Sequence, residues 1–102
     1  MEEKNKSQIK IEIDDDISQG QYSNFAIVTH SPAEFIIDFI SILPGVKKTK
    51  VRSRVVISPM HVKTFIRALD DNIKKYEKKF GEIKVISNAP KFKLPDKNTL
   101  PN

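Results

Sequence analysis

Residues 58–81 constrain the fold more than any other stretch of the chain. Ser58 is a good helix N-cap, and Pro59 suits the first helical position, where its missing N–H costs nothing. Val62, Ile66, Leu69, Ile73, Tyr76 and Phe80 then recur at alternating spacings of four and three, and Phe65 widens the stripe. This period predicts an amphipathic helix of about five to six turns. Gly81 ends it as a C-cap. The opposite face carries Lys63, Arg67, Lys74, Lys75, Lys78 and Lys79 with Asp70, Asp71 and Glu77 between them. It reads as a solvated face supported by pairs such as Asp71 with Lys75. The apolar seam is shorter than three heptads, too short for a free-standing coiled coil. Val62, Phe65, Ile66, Leu69, Ile73, Tyr76 and Phe80 therefore form a packing face that needs cover from the chain's own sheet or from a twofold mate.

Upstream, the periodicity is that of strands. Ile9, Ile11 and Ile13 alternate with Lys10 and Glu12, which predicts a half-covered strand ended by Asp14, Asp15 and Asp16. Gln19-Gly20-Gln21 signals a turn. Residues 22–29, centred on Phe25, Ile27 and Val28, predict a second strand, broken by His30-Ser31-Pro32. Residues 34–43 admit two readings. As a helix, Ser31 caps them, Pro32 fills the first turn, and Phe35, Ile36, Phe39, Ile40 and Leu43 share a face. As a strand, six of the nine residues from Phe35 to Leu43 are Phe or Ile, types that pack better on a pleated surface. Strand is the preferred reading, apolar on both faces and so central or covered by a neighbouring subunit. Pro44-Gly45 then makes a turn, and residues 51–58 return as a strand, so that the intervening loop carries the lysines. Asp38 inside an apolar strand needs a partner if buried, and Arg52 or Arg54 on the next strand would supply it. Glu82 to Ile86 allows one more short strand.

The expected fold is α+β: an antiparallel sheet of about four strands followed by one long C-terminal amphipathic helix. Residues 1–8 read as a disordered N-terminus, 9–81 as a single domain, and 82–102 as a mostly flexible tail punctuated by Pro90, Pro95 and Pro101. With 102 residues and only 38% hydrophobic residues, the core is small. A sheet and helix with this much apolar surface predict a homodimer or higher oligomer. No cysteine is present, which excludes a disulfide scaffold, a zinc ribbon and a thiol nucleophile. No apolar run approaches a membrane span, and the charged start, Met1 to Lys6, lacks a signal-like apolar region, so a cytoplasmic protein without a membrane partner is expected.

The net charge of +5 hides an asymmetry. Residues 1–45 carry 3 basic and 8 acidic groups, net −5, and residues 46–102 carry 15 basic and 5 acidic groups, net +10. Such a split suits head-to-tail contacts or an anionic partner. Lys47, Lys48, Lys50, Arg52 and Arg54 form the densest basic stretch. It is a candidate for phosphate contact, although no aromatic is interleaved for base stacking, and lysines at a hairpin tip also protect a strand edge. Chemistry-bearing motifs are sparse. His30 and His61 have no metal-ligand spacing, and Asp14 to Asp16 lack the alternating ligands of a calcium loop. Gly20, Gly45 and Gly81 mark element boundaries rather than a phosphate loop. No catalytic residue, metal, cofactor or small-molecule substrate is expected. The element order does not match a ribbon-helix-helix protein, and neither a zinc finger nor a helix-turn-helix is present.

Several separated motifs occur together: Gln21-Tyr22-Ser23-Asn24, the stretch from Ser31-Pro32-Ala33-Glu34 through Phe39, Arg54-Val55-Val56-Ile57-Ser58-Pro59, and Tyr76-Glu77-Lys78-Lys79-Phe80-Gly81. Over about residues 8–82 the chain resembles the domain of unknown function 3467 family of small prokaryotic proteins. The resemblance implies a strand at 34–43 and no assigned catalytic residues. Relatives are associated with genes beside those of the large RNA polymerase subunits, which implies a transcription-linked role. The leading expectation is a non-enzymatic, homo-oligomeric interaction protein, an accessory to RNA polymerase. The alternative is a nucleic-acid-binding dimer that uses the basic loop. A third is a small chaperone, since the element order is similar to the SecB type, an analogy of fold alone.

Overall fold

The computed structural model describes residues 8–86. The expectations for residues 1–7 and for the tail from 87 onward lie outside these described residues. The order of elements is α1 (Asp15–Ser18), β1 (Phe25–His30), β2 (Phe35–Ile40), β3 (Val51–Ile57) and α2 (Pro59–Phe80). The three strands form an antiparallel meander with β2 in the middle. The chain is α+β with a long C-terminal helix, as its periodicity indicates, and the sheet among the described residues has three strands rather than four.

Residues 35–40 are a strand, and the central position explains why both of its faces are apolar. Ile37 and Ile40 are its buried hydrophobic residues, and Asp38 between them is fully enclosed. Register follows from the two pairings. Ile27, Asp38 and Arg54 stand side by side across the sheet on one face, and Val28, Ile37 and Val55 on the other. Between Phe39 and Ile40 the register slips, because Phe39 faces Ser53 while Ile40 faces Val51. Arg52 is thus the extra residue of a bulge in β3.

Two expected strands do not form. Ile9, Ile11 and Ile13 lie in irregular chain and are 84%, 89% and 65% exposed. Their alternation describes an extended segment with one apolar side, but a strand also needs a hydrogen-bonded neighbour, and this segment pairs with neither free edge of the sheet, that of β1 or that of β3. Glu82 to Ile86 is likewise irregular, with Val85 and Ile86 exposed. Conversely, the acidic run expected only to end a strand begins the single helical turn α1. Asp14 sits at its N-cap position in extended conformation, and Asp15 and Asp16 place negative charge in its first turn, where the helix dipole favours it.

Two hairpin connections hold the meander. At the β1–β2 turn, Ser31 N donates to the Glu34 carbonyl at 2.9 Å, and Ser31 Oγ accepts from the backbone N–H of Ala33 and of Glu34, both at 3.3 Å. The serine that would have capped a helix here closes a hairpin instead. The His30 and Phe35 rings lie 5.5 Å apart across its mouth. In the β2–β3 loop, Thr49 Oγ1 donates to the Ser41 carbonyl at 2.9 Å.

Helix α2 leaves β3 after one residue, Ser58, and stands apart from the sheet. No residue of α2 is buried, and only the strand pairs β1–β2 and β2–β3 pack extensively. No helix of the described residues is long and apolar enough to cross a membrane.

Candidate functional site

The apolar stripe of α2 is a chemically uniform exposed surface. Its start is fixed by Ser58, whose Oγ accepts from the His61 backbone N–H at 3.4 Å and contacts His61 Nδ1 at 2.6 Å. His61 occupies the third helical position, where a capping box ordinarily has Glu or Gln, so the hydroxyl–imidazole contact belongs to the cap. The helix end is fixed by Gly81, whose N–H donates to the Glu77 carbonyl at 2.9 Å, while the Glu77 carboxylate accepts from the Ile83 N–H at 2.9 Å. Between these caps, Phe65, Ile66, Leu69, Ile73, Tyr76 and Phe80 are between 38% and 66% exposed. Val62, nearest the sheet, is the half-buried member. The Tyr76 and Phe80 rings are tilted at 46° with their centroids 4.9 Å apart, and Lys79 Nζ lies 5.4 Å from the Phe80 centroid. In general, contiguous exposed apolar area is what distinguishes interaction surfaces from the rest of a protein's exterior.

The polar flank of α2 holds Asp70 and Lys74 as an ion pair at 3.0 Å, one helical turn apart. The hydrogen bond to Asp70, then its charge, raises the Lys74 ammonium above its ordinary range. Asp71 is the other acid that acts on it.

The basic stretch is divided by the fold. Lys47, Lys48 and Lys50 lie exposed on the β2–β3 loop, and Arg52 is exposed at the bulge. Arg54 is drawn away from them. Its Nε donates to Asp38 Oδ1 at 2.7 Å and its Nη2 to Oδ2 at 2.9 Å, a two-pronged pair with the enclosed carboxylate. That hydrogen bond is the main cause of the raised Arg54 pKa. Of the two arginines that could answer Asp38, the register selects Arg54, because it stands directly opposite while Arg52 is displaced by the bulge. The basic patch that remains for a partner is Lys47, Lys48, Lys50 and Arg52.

A third feature is an open cleft of about 810 Å³ where the segment around α1 passes over the sheet. Ile17, Tyr22, Ala26, Phe39, Arg52 and Val55 contribute to its walls. The floor is thus the sheet face opposite Asp38 and Arg54, with Arg52 at its edge. Its position is set by a clasp that periodicity does not reveal. Ser23 Oγ donates to the Ile40 carbonyl at 2.8 Å. Asn24 Nδ2 donates to the Ile42 carbonyl at 2.8 Å, and Asn24 Oδ1 accepts from the Ile42 N–H at 2.7 Å. The Asn24 amide thus takes the place of a backbone peptide and extends the β1–β2 pairing by one step. The only hint in the sequence is an Asn immediately before a strand.

Among the described residues, no group of three or more histidine or acidic side chains is placed to hold a metal ion. Comparison with known proteins gives one family. The model described as protein of unknown function (DUF3467) matches residues 1–85. No curated protein and no solved structure matches the chain.

Proposed function

We propose that this chain, which belongs to the DUF3467 family through its match over residues 1–85, is a non-enzymatic, homo-oligomeric interaction module that serves the intracellular transcription machinery as an accessory of RNA polymerase. The observation that carries the interaction reading is the uncovered α2. A single copy holds Phe65, Ile66, Leu69, Ile73, Tyr76 and Phe80 in water on a helix with no fully buried residue, and leaves much of the sheet uncovered, with Val28, Val55 and Val56 also exposed. Stable domains cover such faces with a second layer. The opposed charges of the two halves of the sequence add docking faces of either sign. Polymerase is chosen among protein partners on the gene neighbourhood that the family resemblance implies, and the choice is tested directly. Tagged protein drawn from nuclease-treated native lysate should bring down polymerase subunits in stoichiometric amount, identified by mass spectrometry. Recovery of the protein alone would sink stable polymerase association.

One observation favours a second reading, nucleic-acid binding. Lys47, Lys48, Lys50 and Arg52 are all exposed on one connected loop and bulge. If they grip phosphates, duplex affinity falls steeply with salt, and each neutralised lysine lowers the slope of log affinity against log salt by about one. Retained affinity in a Lys47→Gln, Lys48→Gln, Lys50→Gln variant rules this reading out. A chaperone that holds unfolded clients on the α2 stripe differs from both, since it would suppress aggregation of unrelated proteins.

A further inference from the structure

We propose that the α2 stripe is covered by the α2 of a second copy, packed antiparallel about a twofold axis near residue 71. This rests on the homo-oligomeric part of the reading above and adds the interface, its direction and its register. The argument is self-complementarity in size and in charge.

When the stripe is laid against an inverted copy of itself so that both full lengths overlap, Val62 faces Phe80, Ile66 faces Tyr76, and Leu69 faces Ile73, each pair occurring twice. Small meets large at the ends, and medium meets medium at the centre, so the layers fill evenly. A parallel pair would instead stack Phe80 on Phe80 and Val62 on Val62, crowding one end and leaving the other loose. The seam spans residues 62–80, roughly 27 Å of helix. Although short for a free coiled coil, it is preset here, because Ser58 and Gly81 already cap each helix.

The flanking charges choose the same direction. In heptad terms Lys63, Asp70 and Glu77 occupy one flank of the seam, and Phe65, Asn72 and Lys79 the other. Antiparallel packing brings like flanks together. Lys63 then meets Glu77 of the second copy at both ends, and Phe65 lies under the stem of Lys79 of the second copy, a cation already seated near an aromatic ring in one copy. Asn72 faces Asn72 of the second copy across the axis. The one like-charge meeting, Asp70 with its mate, is moderated by the Lys74 that each Asp70 holds at 3.0 Å. In the parallel arrangement Asp70 falls beside Phe65 and Glu77 beside Asn72, and no ion pair forms across the seam.

The chain has no cysteine, so single cysteine variants place spin labels cleanly. Light scattering should give twice 11.7 kDa. Labels at Met60→Cys should lie roughly 33 Å apart along the pair, and labels at Asn72→Cys within roughly 15 Å. A short Met60 separation, or a long one at Asn72, overturns the proposal. So does a mass of 11.7 kDa at every concentration. Surface charge reversal tests it without touching the seam. Lys63→Glu and Glu77→Lys should each raise the dimer dissociation constant by about tenfold, and the double variant should restore it. Unrestored affinity in a double variant whose circular dichroism is unchanged also overturns it. A failed polymerase capture with these distances intact removes only the partner reading, whereas a dimer with other distances removes only this interface.

Discussion

Asp38 shows how a single residue can be legible as an anomaly before its partner is known. An acid amid Phe and Ile needs a countercharge if the segment is a strand, and the adjacent strand contains only two cations that could reach it. The choice between them depended on one bulge, and a bulge leaves no mark in the hydrophobic pattern. The Asn24 clasp escaped sequence reading for a related reason: its partner, Ile42, lies eighteen residues away across a hairpin. Arg54→Met strands the enclosed Asp38 carboxylate and should lower the melting temperature. The double variant Asp38→Val with Arg54→Val removes both charges and should recover most of that loss. Thermal melts by far-ultraviolet circular dichroism check this ordering, and equal losses in the two proteins would show that the pair does not act as a unit.

At the scale of elements, what was legible follows from what each signal measures. The α2 signal is local, consisting of a cap at Ser58, Pro59, a stripe and Gly81, and all of it lies within one helix. Residues 35–40 were legible because side-chain shape favours a pleated surface even where two periodicities compete. The alternation at Ile9 to Ile13 was no weaker, yet strand formation depends on an edge elsewhere in the molecule. The same distinction governs the site. The stripe residues could be named from spacing, whereas the cleft over the sheet required knowing where α1 lies. Two local predictions belong here. Ser58→Ala removes the hydroxyl that accepts the His61 N–H and should cost about 1 kcal/mol. Gly81, at φ 99° and ψ 170°, holds a conformation that side chains disfavour, so Gly81→Ala should cost about 1–3 kcal/mol although open space surrounds it. Urea unfolding followed by helical ellipticity measures both.

For the molecule as a whole, the proposed α2 pairing makes stability and association one quantity. A single copy encloses Ile37, Ile40 and Asp38 and few other side chains, so its cohesion depends on what lies against α2. Ile73→Asp places a charge at the middle of the stripe and should shift the protein to monomer in light scattering. For the unsubstituted protein, unfolding coupled to dissociation should lose about 1.4 kcal/mol of apparent stability per tenfold dilution. A melting temperature independent of concentration would contradict this. The junction between β3 and α2 has a separate consequence. With Ser58 as the only residue between them, the sheet has little freedom to swing relative to the helix. An inverted helix pair is then a ruler that fixes the junctions of two sheets roughly 33 Å apart, and with them, one strand length away along each β3, two loops of Lys47, Lys48 and Lys50 at a set separation. A ligand that can span that distance engages both ends and gains the effective concentration of a bivalent contact; a shorter one meets a single loop and gains nothing from the second.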